Sequence, residues 1–208
     1  MNTFSIIIAT YGDQWWQEMA WERAYPCAME QGAEEVLQVH CEECSIAEAR
    51  NAIADKARSD WLIFLDADDE LEPGYVDAMR RHAARVGMDT AVLEPKVSYV
   101  RRGLKKPATF LDRRGNLSDD NFLILGTGIQ RRLFEQIEGF GDYPHGFEDW
   151  SLWAKAWKEG AKIMRVPEAT YVAYINPNSK HRLAWRDRAW QEEMHHKVRR
   201  ELFPELYR

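Results

Sequence analysis

The stretch Trp61 to Gly74, WLIFLDADDELEPG, runs five apolar residues into four acids within five positions: Asp66, Asp68, Asp69 and Glu70. Side chains on a strand alternate, so an Asp-x-Asp at its end projects Asp66 and Asp68 to one side. Carboxylates gathered with no basic neighbour in sequence repel one another and call for a counter-charge. A divalent cation such as Mg²⁺ or Mn²⁺ supplies it, taking one or two carboxylates and filling its remaining positions with phosphate oxygens and water. Glu70 and Glu72 need no ligand, since a helix opening near Pro73 explains acids ahead of it. Asp69 fits either role. Other acid-rich motifs fit worse. An EF-hand loop counted from Asp66 needs Gly where Leu71 stands. An Asp-nucleophile phosphatase needs Thr or Val at Glu70, and no Gly-rich phosphate loop ending in Lys occurs.

Fewer residues elsewhere have the right types and spacing. Cys41-Glu-Glu-Cys44 is a lone CxxC, and with Cys27 the cysteines form an odd set of three, read as reduced thiols. His195 and His196 lack a further ligand at helical spacing and read as exposed. Trp150, Trp153 and Trp157 repeat at i, i+3 and i+7, the spacing of a packed helix face. Trp15, Trp16 and Trp21 read as packing or a partner surface.

The elements that must position the acids follow from periodicity. Phe4–Thr10 is a short β-branched run, hence a buried strand, and Val36–His40 and Trp61–Leu65 read as the second and third strands. Between them lie helical patterns over Gln14–Glu30, broken or kinked at Pro26, and Ser45–Arg58, with Ser45 as N-cap and Glu48 three residues on. A third helix runs from Glu72-Pro73 to Val86, with Pro73 in its first turn. A β-α-β-α-β-α series predicts a mostly parallel sheet flanked by helices, with ligands at the carboxyl ends of its strands. Those ends are Ala9 to Asp13, His40 to Cys44 and Asp66 to Asp69. The second half predicts strands at Thr90–Val100, Phe122–Leu125, Lys162–Val166 and Thr170–Ile175, with Gly126-Thr127-Gly128 as a turn. Helices are expected at Arg131–Ile137, at Glu148–Glu159 ended by Gly160, and from Leu183 to Phe203.

A chain of 208 residues without a Pro/Gly/Ser linker is expected to form one domain, with halves near 1–94 and 95–182 and a C-terminal helix over 183–203. No apolar run approaches the roughly 18–20 residues of a membrane span, and no leader pattern opens the chain, which predicts a soluble, cytoplasmic protein. The net charge of −6 conceals an asymmetry: residues 1–94 carry 19 acids and 7 Lys/Arg, residues 95–208 carry 15 and 21. Seven Lys/Arg fall between Lys96 and Arg114. That window is either a solvated loop or a surface for a polyanion.

Three blocks in fixed order, FSIIIATYGD, EARNAIADKARSDWLIFLDADDELEPGYV and GFGDYPHGFEDWSLWAKAWKEGAKIMRVPEATYV, resemble the family 2 glycosyltransferases of GT-A fold over roughly residues 4–182. The resemblance implies an α/β GT-A domain that transfers a sugar, with inversion, from a nucleoside-diphosphate sugar. The donor base would meet Ala9, Thr10 and Tyr11. Arg50 would lie near the nucleotide, and Asn51 would help shape its pocket. Asp66 and Ala67 would contact the nucleotide sugar, and Asp68, with His181, would hold Mn²⁺ or Mg²⁺. Asp149 would be the catalytic base, and Asp69, Gly128, Glu148 and Trp150 would border the sugar or acceptor pocket. The family's acid after the second strand, which binds uracil, is replaced by His40-Cys41-Glu42-Glu43, where Glu42 or Glu43 substitutes for it. The donor is then expected to be a UDP-sugar and the acceptor a glycan precursor or a hydroxylated base in nucleic acid. A catalytically silent sugar-nucleotide or glycan binder is the alternative from another class. A nucleotidyltransferase is a third, although its Gly-rich, Lys-bearing first loop is replaced by ATYGD.

Overall fold

A computed structural model describes residues 2–86, 90–112, 116–143, 147–175 and 187–207. Among the described residues, eight strands form one curled mixed sheet: β1 (Phe4–Tyr11), β2 (Glu35–Cys41), β3 (Trp61–Phe64), β4 (Glu70–Leu71), β5 (Ala91–Arg101), β6 (Leu104–Lys105), β7 (Gly128–Gln130) and β8 (Lys162–Tyr174). Their order is β2-β1-β3-β7-β5-β8-β4, with β6 hairpinned onto β5. The pairs β1–β2, β1–β3 and β5–β8 are parallel, while β7 runs antiparallel to both its neighbours. Parallel register brings Tyr11 beside Cys41 and Ile7 beside Phe64, so the carboxyl ends of β1, β2 and β3 share one edge.

Both faces are covered over β1 and β3, which is why those two read as continuous apolar runs, whereas β2, at the end of the strand order, is half-buried throughout. Ile6, Ile8, Ile63 and Leu65 join one cluster with Ala20, Ala24 and Ala28 of the first helical stretch and Tyr75 and Met79 of α4 (Tyr75–Val86). Ile7, Leu62 and Phe64 join the opposite cluster. It includes Ala47 and Ala54 of α3 (Ile46–Ala54), Phe134 of α5 (Arg131–Gln136) and Trp153 of α6 (Phe147–Lys158). Burying each of the Ile, Leu, Phe and Met side chains among them contributes about 1.5–3 kcal/mol relative to exposure, and each Ala less. A last helix, α7 (Arg188–Leu202), packs on α6 through Val198 and Phe203.

Several predicted elements differ. The helix over Gln14–Glu30 does not stop at Pro26. It runs as α1 (Trp15–Met19), a π-helical segment (Ala20–Ala24) and α2 (Tyr25–Met29), the wider turns coming just before a residue that lacks an N–H to donate. Pro73 sits in a turn rather than in a helix. Tyr75 N–H donates to the Glu72 carbonyl (3.1 Å), and Gly74 adopts the positive φ (80°) that Gly alone takes at low cost. Phe122–Leu125 is an irregular buried segment, not a strand; the strand starts at Gly128. The two predicted strands at 162–175 are one, paired with β5 throughout and irregular where Val166–Thr170 face Pro95 and Lys96. The C-terminal helix is described from Arg188. Cys41 and Cys44, read as reduced thiols, are joined by a disulfide.

One close approach ties the irregular segment to the sheet edge. The Tyr75 hydroxyl donates to the Gly126 carbonyl (2.6 Å), and a Cβ at Gly126 would collide with the Tyr171 ring and lie 2.9 Å from the Tyr75 oxygen. Gly126→Ala is therefore expected to destabilise the fold by about 1–3 kcal/mol, the usual cost of overpacking. A denaturant melt at constant slope checks it, and an unchanged midpoint would show that the tyrosines yield freely.

Candidate active site

The DADD segment leaves β3 and makes a turn, Asp69 N–H donating to the Asp66 carbonyl (3.2 Å), before crossing the sheet as β4 to pair with β8. Each acid meets a different fate. Asp69 is buried and fully engaged: the Tyr171 hydroxyl and the Tyr174 N–H both donate to its carboxylate at 2.8 Å. Burial, reinforced by Asp66 and Asp68, pushes its carboxyl well above the ordinary range. Asp66 is 41% exposed at its side chain and accepts from Arg50 Nη2 at 2.8 Å. Asp68 keeps no side-chain ion pair among the described residues, while its carbonyl accepts from Arg23 Nη1 (2.7 Å). Burial and the neighbouring Asp66 raise the Asp68 carboxyl to about 6.

The counter-charge missing from the local sequence comes from α3. Its capping box is complete: Glu48 N–H donates to Ser45 Oγ (3.2 Å) and Ser45 N–H to Glu48 Oε2 (2.7 Å). One turn on, Arg50 is buried with its side chain only 6% exposed. It reaches Asp66 on one side and, through Nη1, Asp149 Oδ1 (2.8 Å) and Glu148 Oε1 (3.3 Å) on the other. Arg50, expected beside the nucleotide, is the hub of a three-carboxylate cluster. Asn51 was expected to shape the same pocket. Both ends of its amide are spent on Phe140, its Nδ2 donating to the carbonyl (3.0 Å) and its Oδ1 accepting from the N–H (2.9 Å). That clasp holds the loop at Phe140–Gly141, and Gly141 N–H in turn donates to Ser151 Oγ of α6 (2.9 Å).

Asp149 stands in the first turn of α6, where the helix dipole favours the ionised form. Burial pushes its carboxyl well above the usual range; Arg50 opposes that, while Glu148 and Asp66 add to it. The result is a carboxylate with raised basicity and a fixed orientation. It faces a cavity of about 680 Å³, shared with Asp66, Asp69, Tyr171, Trp150 and His195. Trp150 is pinned in the wall, its Nε1–H donating to the Leu117 carbonyl (2.8 Å) and its ring stacked on His195 at 4.6 Å. Glu148 is buried behind the cavity, against Arg50. Gly128 does not border it: that residue lies in β7 against Leu93.

At the carboxyl edge of β1, Ala9 and Thr10 are buried and Tyr11 half-buried. Thr10 Oγ1 is hydrogen-bonded to His40 Nδ1 (2.9 Å). Ala67 is buried in the DADD turn, and Glu42 and Glu43 are exposed beside the Cys41–Cys44 link. His181 lies outside the described residues. No group of three candidate metal ligands assembles among the described residues. Asp68 is half-buried, and burial with the neighbouring Asp66 raises its carboxyl against the opposing pull of Arg23.

Sequence reasoning missed Arg50 as the counter-charge, although a signal existed. It falls three residues after Ala47 and four before Ala54 on the buried stripe of α3, where a guanidinium demands carboxylate partners. Tyr171 and Tyr174 left no such signal, because β8 is a hundred residues away in sequence and meets Asp69 only through the β4 pairing.

Comparison with known proteins gives a family and a fold. The family model described as Glycosyl transferase family 2 matches residues 35–147. A search of the curated proteins found no match. Among solved structures, S. aureus TarS 1–349 aligns at 17% identity and TM-score 0.58 over 83% of this chain and 60% of that one. The same fragment in complex with UDP-GlcNAc aligns at 17% and TM-score 0.61 over 88% and 61%. The chain covers 37% of a longer TarS structure. At this identity the likeness establishes the GT-A architecture.

Removing Arg50 would leave Asp66, Glu148 and Asp149 without their cation. Arg50→Ala is expected to lose about 3–5 kcal/mol at pH 7, the cost of stranding buried charge. Carboxyls whose folded-state pKa is raised disfavour folding once pH exceeds their unfolded value, near 4. The deficit relative to wild type should therefore shrink as pH falls toward 4. Denaturant melts across that range test it; a deficit independent of pH would mean that lost packing, not charge, is responsible.

Proposed function

The chain belongs to glycosyl transferase family 2, and from that premise we propose that it transfers a sugar from a nucleoside-diphosphate sugar to an acceptor hydroxyl with inversion, Asp149 acting as the base. The observation that carries this reading is Asp149 itself: a carboxylate in the first turn of α6, raised by burial, locked by Arg50 and facing a cavity it shares with Asp66. The acceptor oxygen attacks the anomeric carbon and its proton passes to Asp149. The bond from that carbon to the leaving phosphate oxygen breaks, and the nucleoside diphosphate departs with the electron pair.

The chain's own residues divide the work. Asp66, partly exposed at the strand end, faces the ribose and sugar, and the buried Ala9, Thr10 and Ala67 shape the floor beneath the nucleotide. Tyr11 and Glu42 or Glu43 meet the base. A uridine donor is supported by the TarS complexes with UDP and UDP-GlcNAc. Asp68 would hold Mn²⁺ or Mg²⁺, with His181 as a second candidate ligand. A bound cation there neutralises the charge that develops on the leaving diphosphate. Asp69 is a positioning residue, fixing the DADD turn against β8 through Tyr171 and Tyr174. No helix among the described residues is long and apolar enough to cross a membrane.

Calorimetry with UDP-GlcNAc, with and without Mn²⁺, tests the assignments. Donor binding should require the metal in wild type, be lost in Asp68→Ala and survive in Asp149→Asn, which should lose turnover by about 10²–10⁴-fold. Equal donor binding by wild type and Asp68→Ala would remove Asp68 from the metal site.

The pH profile of kcat/KM gives an independent reading. A base must be ionised, so activity should fall as pH drops through the raised pKa of Asp149, giving an acid limb above the ordinary value of about 3.9. A profile flat down to the pH of acid unfolding would argue against a carboxylate base.

A further inference from the structure

Resting on the reading of this chain as a transferase with a nucleoside-diphosphate donor, we infer that Arg23 and Arg102 clamp the donor's diphosphate between them. One arm of the clamp comes from the π-helical segment and the other from the tip of the β5–β6 hairpin. The DADD turn separates two hollows. Asp66 borders the cavity that Asp149 faces, while Asp68, two residues on, borders another of about 300 Å³ with Trp15, Arg23, Arg102 and Tyr174. A donor whose sugar lies beside Asp66 and Asp149 would bring its diphosphate across that turn, toward Asp68 and the two arginines.

Arg23 is already oriented for the task. Its Nη1 donates to the Asp68 carbonyl (2.7 Å), and its guanidinium lies over the Tyr174 ring, 4.1 Å from the centroid. Tyr174 is fixed in turn: its hydroxyl donates to Glu70 (2.9 Å) and its N–H to Asp69 (2.8 Å). The Arg23 guanidinium is thus held through a carbonyl and a ring, and it forms no ion pair among the described residues. A planar fork held in this way loses little freedom when its other donors meet phosphate oxygens.

Arg102 occupies a position that suits an arginine poorly. The hairpin joins Arg101 to Leu104 through two residues, and both take positive φ, 51° at Arg102 and 75° at Gly103. That is the signature of a type I′ turn, which favours Asn, Asp or Gly at its first central position. A bulky residue in the left-handed region points to a role beyond the turn itself. The role at hand is the hollow: Arg102 is exposed, borders Asp68 there and makes no ion pair among the described residues. Lys105 of the same hairpin, by contrast, is paired with Glu72. Residues 176–186, which follow Ile175 at the edge of the hollow, contain no Asp or Glu in their sequence, so they supply no carboxylate for either arginine. Two guanidinium groups against one carboxylate leave a positive excess, and two forks from different elements suit the many oxygens of a diphosphate better than those of a monophosphate.

The test is calorimetric titration of UDP and of UMP, in Mn²⁺, into wild type, Arg102→Asn, Arg102→Lys and Arg23→Ala, each accompanied by a denaturant melt. Arg102→Asn creates the Asn-Gly pair that type I′ turns prefer, so its melting midpoint should match or exceed that of wild type. Its affinity for UDP should nevertheless fall about tenfold, the scale of one lost charge-assisted hydrogen bond, and its affinity for UMP should fall less. Arg102→Lys, which keeps the charge, should bind UDP with an affinity between those of wild type and Arg102→Asn. Arg23→Ala should also lose affinity for UDP more than for UMP; should that variant fail to fold, Arg102→Asn still decides the matter. Unchanged UDP affinity in Arg102→Asn, or loss of UDP and UMP affinity by the same factor, would overturn the clamp. Failure of the underlying reading looks different: wild type itself would bind neither UDP nor UDP-GlcNAc, and the clamp would fall with it.

Discussion

Three carboxylates from two distant segments converge on one buried guanidinium, and the geometry of the site depends on that contact. Arg50 comes from α3, Asp66 from the end of β3, and Glu148 and Asp149 from the first turn of α6. A planar fork with several donors reaches two sides at once, which an ammonium could not do. Its consequence is positional: the residue at the donor edge of the sheet and the residue proposed as base are held to the same atom group. Neither can drift without breaking a charge-assisted hydrogen bond to a buried guanidinium.

The same contact sets the balance of charge at the base. A buried carboxylate left alone would hold its proton, and one paired too strongly would release it and never take it back. Burial, Glu148 and Asp66 push Asp149 up while Arg50 and the helix start pull it down. Burial outweighs the pull of Arg50, the two neighbouring acids add their own repulsion, and the carboxyl settles above the ordinary range.

Much of this was legible in the sequence, for stated reasons. The strands β1 and β3 and the capping box of α3 depend on local periodicity and local hydrogen bonds, and they appear where the pattern put them. What failed depended on partners far along the chain. β4 is two residues long and exists only because β8 accepts it. Phe122–Leu125 has the composition of a strand, yet its buried side chains pack beneath α6 without a ladder, and β7 takes the sheet position beside it. The acid cluster looked unpaired because its cation stands 16 residues before Asp66 on a helix, and 98 and 99 residues before Glu148 and Asp149.

The four acids that open this puzzle therefore do not share one explanation. Asp69 is stabilised by a phenol and a backbone N–H and acts as mortar between β4 and β8. Glu70 accepts from the Tyr174 hydroxyl (2.9 Å) and completes the same seam. Asp66 is balanced by Arg50 and only partly exposed. Asp68 makes no side-chain ion pair among the described residues, although Arg23, whose guanidinium donates to its carbonyl, pulls its carboxyl down against burial and Asp66. Its half-buried carboxylate borders a hollow shared with Arg23, Arg102 and Tyr174. The sequence motif alone, with its evenly repeated acids, could not separate these four environments.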